Sequence, residues 1–285
     1  MERFNETKRA GLLGIFGNLF LLIIKGAIGF LTNSQAMIAD SANSAGDIFA
    51  SLMTFIGNKI ASEPKDESHN FGHGKAEYIF SLFISVSMIV VAIKLMFDSI
   101  FTLINHNYMT FSWLLVIVCF ITIIVKLSLF IYTNKLCKKY NNILLEANSK
   151  DHKNDCIVTT FTLLSVLATL IGVYWLDGVV GIGISIWIAI TGFKIFMESY
   201  NVLMDKSLDE DTKDLILNIV RNYENVQNIE HFYTSPVGYQ YIVVLTICVD
   251  GNMSTFDSHA LANNLEKEIN RLDKIYDTTI HVEPV

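Results

Sequence analysis

Residues 77–101 read EYIFSLFISVSMIVVAIKLMFDSIF, an apolar run of the length that crosses a bilayer as an α-helix. Five further stretches of this kind occupy 10–31, 36–58, 111–134, 155–175 and 178–200. The fifth is preceded by a polar helical approach that takes its helix back to 142, giving a span of 142–175. The composition agrees with the runs. Of 285 residues, 52% are hydrophobic, 17% are charged and three are proline, which excludes an ordinary soluble domain. The expected fold is an all-α bundle of six transmembrane helices over residues 1–206. A small α+β domain over 207–285 follows it.

Charge placement sets the expected topology. No Lys or Arg occurs between Lys25 and Lys59, between Lys94 and Lys126, or between Lys153 and Lys194. Those gaps hold the first, third and fifth loops. Arg3, Lys8 and Arg9 open the chain; Lys59, Lys65 and Lys75 surround the second loop; Lys135, Lys138, Lys139, Lys150 and Lys153 surround the fourth. Basic residues mark the cytoplasmic side, so both termini are expected there, in a multi-pass protein of the cell membrane. The polar opening of the chain does not read as a cleavable signal. Cys119, Cys137, Cys156 and Cys248 are scattered and form no CxxC pair, as expected of small apolar residues in a reducing setting.

Against this apolar background two polar pairs stand out, Asn43-x-x-x-Asp47 in the second run and Asp151-x-x-x-Asp155 at the start of the fifth. A spacing of four puts both members on one helix face, one turn apart. Carboxylates inside a membrane segment are costly and face a partner or a polar pathway. The second helix runs outside to inside and the fifth runs back. As antiparallel neighbours they would set Asn43 level with Asp155 and Asp47 level with Asp151, within about one turn of depth. Three carboxylates and an amide offer oxygen only, which suits a hard divalent cation. The bland alternative is a set of interhelical hydrogen bonds and a solvated helix end. Lys150, His152, Lys153 and Asn154 are expected to let water reach the pair from the cytoplasm. Crowded carboxylates repel one another in an empty site. A proton is therefore expected to offset part of that charge and to leave when a cation arrives.

After residue 206 the pattern changes. Leu208-Asp209-Glu210-Asp211 opens a helix to about residue 223, with acidic residues in its first turn. Residues 228–235 and 239–249 read as strands around Pro236-Val237-Gly238. Ser254 or Thr255 caps a second helix to about residue 272, and 278–283 alternate as a last strand. The α-β-β-α-β order describes a two-layer, ferredoxin-like domain, small enough that pairing with a second copy is expected.

These features together resemble the cation diffusion facilitators, homodimeric, proton-coupled exporters of divalent metals. The resemblance rests on Gly11 to Asp47 with Asn18, Lys25, Gly29 and Ala39-Asp40-Ser41, on Phe71-Gly72-His73-Gly74-Lys75-Ala76-Glu77, on Asp151-x-x-x-Asp155, and on Leu203-Met204-Asp205. It implies a transport site of Asn43, Asp47, Asp151 and Asp155. Zinc-transporting relatives commonly carry Asp at the position of Asn43 and His at that of Asp151. The set found here resembles the manganese-transporting branch, with a broader Fe²⁺, Zn²⁺ or Co²⁺ exporter as the alternative. The resemblance also implies a loop metal site at Asp66, His69 and His73 and a C-terminal metal site at His231, His259, His281 and Glu283. Thr246 departs from the latter, since zinc exporters have His there. Lys75 and Asp205 match a structural charge pair.

No resident cofactor is expected; Mn²⁺ and H⁺ enter as substrates, and the bilayer and a second copy of the chain as partners. The net charge of −7, with no basic patch interleaved with aromatics, argues against nucleic acid. No nucleophile or phosphate loop accompanies the carboxylates, so the chain is not expected to be an enzyme. The readings from other classes are a membrane metal sensor and a metal-dependent membrane enzyme.

Overall fold

The computed structural model describes the backbone of residues 2–32, 35–105, 111–173 and 175–285, and within them all side chains except those of 29, 31–32, 35–40, 42–43, 169 and 177. Six long helices come first: α1 (Glu2–Thr32), α2 (Gln35–Ala61), α3 (Ala76–Asn105), α4 (Trp113–Tyr140), α5 (Ile143–Ala168) and α6 (Leu176–Leu203). Four segments, Glu2–Ile28, Ala76–Asn105, Trp113–Tyr140 and Gly178–Leu203, are long and apolar enough to cross a membrane among the described residues. The helices α2 and α5 have the same length class but carry the polar pairs. This is a six-helix transmembrane bundle.

The helix ends differ from the sequence expectation where long-range partners or turn residues intervene. The first helix starts at Glu2 rather than near 10, because its opening turns have partners. Arg3 donates two hydrogen bonds to Glu77 at 2.7 and 2.6 Å. Tyr140 and Lys139 donate to Glu2, and Tyr132 donates to Glu6. The fifth helix stops at Ala168 and passes through a short 3₁₀ turn to Gly172, whose φ of +77° is a left-handed value that favours glycine. Between α4 and α5 two asparagines make the turn. Asn141 adopts φ 46° and donates its backbone N–H to Cys137 O. The Oδ1 of Asn142 then accepts from the N–H groups of Leu144 and Leu145, capping α5.

Two kinds of contact hold the bundle. Small residues let α1 and α2 approach: a Cβ on Gly11 would lie 3.1 Å from the backbone nitrogen of Phe55. Apolar clusters fill the rest. Ala50, Ile84, Met88, Leu144, Ile188 and Ile195 join α2, α3, α5 and α6, while Val116 and Cys119 of α4 meet Leu163 and Val166 of α5.

The bundle unit comprises Met1–Glu63 and Ala76–Tyr200; a second unit comprises Pro64–Lys75 and Asn201–Val285. The second loop thus groups with the C-terminal residues, across the boundary placed near residue 206 from composition. In this unit α7 (Glu210–Arg221) precedes β1 (Asn228–Val237) and β2 (Gln240–Val249), and α8 (Thr255–Ile269) leads to β3 (Ile275–Pro284). Sheet order is β1-β2-β3, with β1/β2 antiparallel and β2/β3 parallel. Asp209 caps α7 by accepting from Thr212 N, and Ser254 caps α8 by accepting from Asp257 N. Val243, Leu245 and Ile247 of β2 pack under Ile216 and Val220 of α7 and Leu261, Leu265 and Ile269 of α8. The period-2 alternation of β2 turns Val244 and Thr246 to the opposite face of the sheet.

Candidate metal centre in the bundle

Asp47 sits on α2, and Asp151 and Asp155 sit one turn apart on α5. Their convergence is measured by a residue on a third helix. The Nζ of Lys126, on α4, donates to Asp47 Oδ2 at 2.7 Å and to Asp155 Oδ2 at 2.5 Å. The Lys126 side chain is 1% exposed. One cation therefore reaches both carboxylates, so Asp47 of α2 is brought to Asp155 of α5, where the antiparallel geometry had set Asp47 level with Asp151. Asn43 lies one turn before Asp47 on α2, and its side chain, like that of Asp40, is outside the described residues.

Two residues enter the site that the spacing did not single out as members. Lys126 is the first. A lone lysine in the middle of the run 111–134 was a signal in itself, because a buried ammonium needs a counter-ion. His152 is the second. It is fully buried, and Asp151, His152 and Asp155 each present a ligand atom, all within 4.8 Å of one another. An imidazole thus lies beside the oxygen donors. The structure corrects the expectation that His152 and Asn154 form part of a wetted approach, since both are buried while Lys153 is exposed. The reason is helical rotation: about 100° per residue turns 152 and 148 inward when 153 faces out. A Cβ on Gly14 of α1 would lie 3.7 Å from His152 Nε2, so the ring points at α1. Neither ring nitrogen has a hydrogen-bond partner, and Asp151 Oδ2 and both amide atoms of Asn148 share that state. Such a concentration of unpaired buried polar atoms is what a hydrated or ion-occupied interior requires.

A cavity of about 100 Å³ adjoins the carboxylates. It is lined by Asp47, Lys126, Asp155, Lys25, Lys94 and Asp98, with Thr122 one turn before Lys126 on α4.

The loop residues Asp66, His69 and His73 also come together. Their ligand atoms lie within 4.8 Å of one another, and the two imidazole centroids are 4.2 Å apart. The segment is irregular rather than helical. Asp66 Oδ1 accepts from the backbone N–H groups of His69 and Ser68 at 2.6 and 2.9 Å. The His69 N–H, first among these contacts, holds the Asp66 carboxyl below its usual pKa.

The C-terminal candidates are arranged differently. His231, Thr246 and His281 occupy one register row across the sheet. His281 Nε2 is 3.1 Å from Glu283 Oε1. His259 lies on α8, whose apolar face covers the other side of the sheet, and its Nε2 is 3.0 Å from Asn263 Nδ2. These residues do not form a three-ligand group within one chain among the described residues. Lys75 donates to Asp205 at 2.9 Å, and Ser235 Oγ donates to the same oxygen at 3.0 Å.

Comparison with known proteins completes the assignment. Residues 11–204 match the cation efflux transmembrane domain, and residues 208–285 match the cation efflux protein cytoplasmic domain. The chain is 29% identical over 290 residues to the manganese efflux system protein MneS of Bacillus subtilis, covering 100% of this chain and 99% of that one. It is 27% identical over 279 residues to the cation-efflux pump FieF of Shewanella oneidensis, covering 98% and 94%. Its C-terminal part is similar to the metal-bound C-terminal domain of the CzcD transporter from Thermotoga maritima, at 37% identity over 27% of this chain and 94% of that one, with a TM-score of 0.26. The family models account for both units, and the chain is therefore a member of the cation efflux, or cation diffusion facilitator, family: a multi-pass membrane transporter of metal cations and not an enzyme.

Proposed function

We propose that the chain exports Mn²⁺ from the cytoplasm across the cell membrane in exchange for H⁺, working as a homodimer with both termini in the cytoplasm. The observation that carries this reading is the convergence of Asp47 and Asp155 on one buried cation, with Asp151 a turn away. Asn43, one turn before Asp47, completes a mainly oxygen donor set, which favours a harder ion than a thiolate or multi-histidine site would. Similarity to MneS supports the same ion. Crowding of the carboxylates supports exchange for protons. The single ammonium of Lys126 offsets only part of the charge of Asp47, Asp151 and Asp155, and proton binding lowers the repulsion that remains after a divalent cation leaves.

A second reading has its own observation. The imidazole of His152 lies in the cluster and suits Fe²⁺, Zn²⁺ or Co²⁺ as well, which supports a broader exporter. We further assign Asp66, His69 and His73 to an accessory loop site. His231, His281 and Glu283 form one exposed sheet face, where a ligand set needs donors from a second copy.

Metal flux into proteoliposomes under an imposed pH gradient tests the proposal, with Asp155→Ala as control. Saturable Mn²⁺ flux that depends on the gradient, exceeds Zn²⁺ flux and vanishes in the control is expected. Zn²⁺ or Fe²⁺ flux equal to or above that of Mn²⁺ would replace the manganese reading by the broader one. Flux indifferent to the gradient would refute exchange for protons.

A further inference from the structure

The cavity beside Asp47 and Asp155 raises a question the transport reading leaves open: what a lysine is doing between two metal ligands. An ammonium and a divalent cation compete for the same carboxylate oxygens. Lys126 Nζ stands 2.7 Å from Asp47 Oδ2 and 2.5 Å from Asp155 Oδ2, at the position a bridging metal would take. Both cannot hold that pair of oxygens, because two cations so close repel strongly. The lysine must move when metal arrives, yet its side chain is 1% exposed.

The structure holds a place for it to go. Thr122 lies one turn earlier on α4, so its side chain shares the face of Lys126. It is 1% exposed, and its Oγ1 has no hydrogen-bond partner. Thr122 and Asp98 line the same cavity of about 100 Å³ as Lys126 itself. A hydroxyl acceptor and a carboxylate thus flank the space into which the ammonium can swing, which Lys25 and Lys94 also line.

We propose that Lys126 is a tethered resident cation: it occupies the metal position between Asp47 and Asp155 when no metal is bound, and is displaced toward Thr122 and Asp98 by the incoming divalent ion. Lys126 is a positioning residue that sets the metal affinity of the site by competition. It also keeps two partly buried carboxylates from facing each other bare after metal release. The inference rests on the transport-site reading of Asp47 and Asp155.

The test is Mn²⁺ titration of the full chain in lipid nanodiscs, counting as site binding the part lost in Asp155→Ala. Lys126→Met keeps the length and removes the charge. It is expected to tighten Mn²⁺ binding by about tenfold or more, because the competitor is gone. Asp98→Asn and Thr122→Val, which weaken the alternative berth, are expected to loosen binding by about threefold in the native background and to change nothing in Lys126→Met. A purely structural lysine would give the opposite: binding in a folded Lys126→Met that is unchanged or weaker. That result overturns the proposal, as does an equal effect of Asp98→Asn in both backgrounds. If Lys126→Met does not fold, native-like affinity in both Asp98→Asn and Thr122→Val overturns it. Asp155→Ala and Asp47→Ala separately decide the site. Undiminished Mn²⁺ binding in both would sink the transport-site reading itself.

Discussion

Gly74 and Gly238 meet backbone to backbone. A Cβ built on Gly74 would lie 3.2 Å from Gly238 Cα, and one built on Gly238 would lie 3.1 Å from Gly74 Cα. The first glycine belongs to the second loop and the second to the β1–β2 turn, so this contact seats the loop on the hairpin. Gly238 also has φ +80°, a conformation that costs any other residue.

The glycine pair yields the first prediction. Gly238→Ala is expected to destabilise the C-terminal unit by about 1–2 kcal/mol, from strain plus the lost approach. Gly74→Ala is expected to cost less in stability but to free the loop. Hydrogen exchange of the full chain should show faster exchange at Gly72 N–H and His69 N–H in Gly74→Ala. Unchanged exchange would mean the loop is held by its own turns alone.

The neighbouring ion pair responds to pH. The hydrogen bond from Lys75, followed by that from Ser235, holds the Asp205 carboxyl below its usual pKa. A carboxyl whose folded pKa is depressed contributes stability above its unfolded value of about 3.9, and the contribution is lost as pH falls through the lower folded value. The Asp205 side chain is 58% exposed, so the pair is worth about 0.5 kcal/mol at most. Asp205→Asn should therefore behave at neutral pH as the native chain does in acid, with the loop more open and the bundle unaffected. Asp209, pulled down to about 2 by Lys274, titrates in the same direction at still lower pH.

A buried network anchors the start of the chain. Arg3 pairs bidentately with Glu77, whose side chain is 3% exposed, and Asn142 Nδ2 donates to the same carboxylate at 3.1 Å. Arg3→Ala leaves that carboxylate short of its cation and is expected to cost about 3 kcal/mol in thermal unfolding. Adding Glu77→Gln should recover much of the loss. A double variant no better than Arg3→Ala would mean that Arg3 acts through packing.

His152 offers a selectivity test. Its ring lies within reach of Asp151 and Asp155, and imidazole favours the later divalent metals of the first row. His152→Ala is expected to weaken Zn²⁺ binding by about tenfold and Mn²⁺ binding by much less. Equal losses for the two ions would mean the histidine shapes the cluster without preferring an ion.

Much of this molecule could be read along one dimension. The six apolar runs, the acidic opening of α7, the cap at Ser254 and the four-residue spacing of Asp151 and Asp155 all depend on neighbours in sequence. Helix and strand periods turn such neighbours directly into shared faces. Helix ends were less legible where distant groups intervene: the start of α1 depends on Glu77, Tyr132 and Tyr140, and the grouping of Pro64–Lys75 with the C-terminal unit depends on Gly238, Asp205 and Ser235. The tertiary structure alone decided that Lys126 stands between Asp47 and Asp155, and that His152 turns inward while Lys153 turns out. A sequence can reveal that a buried charge needs a partner, because desolvation makes that a local demand. Which partner answers is settled by packing between helices that lie 79 and 29 residues apart in the chain at these contacts.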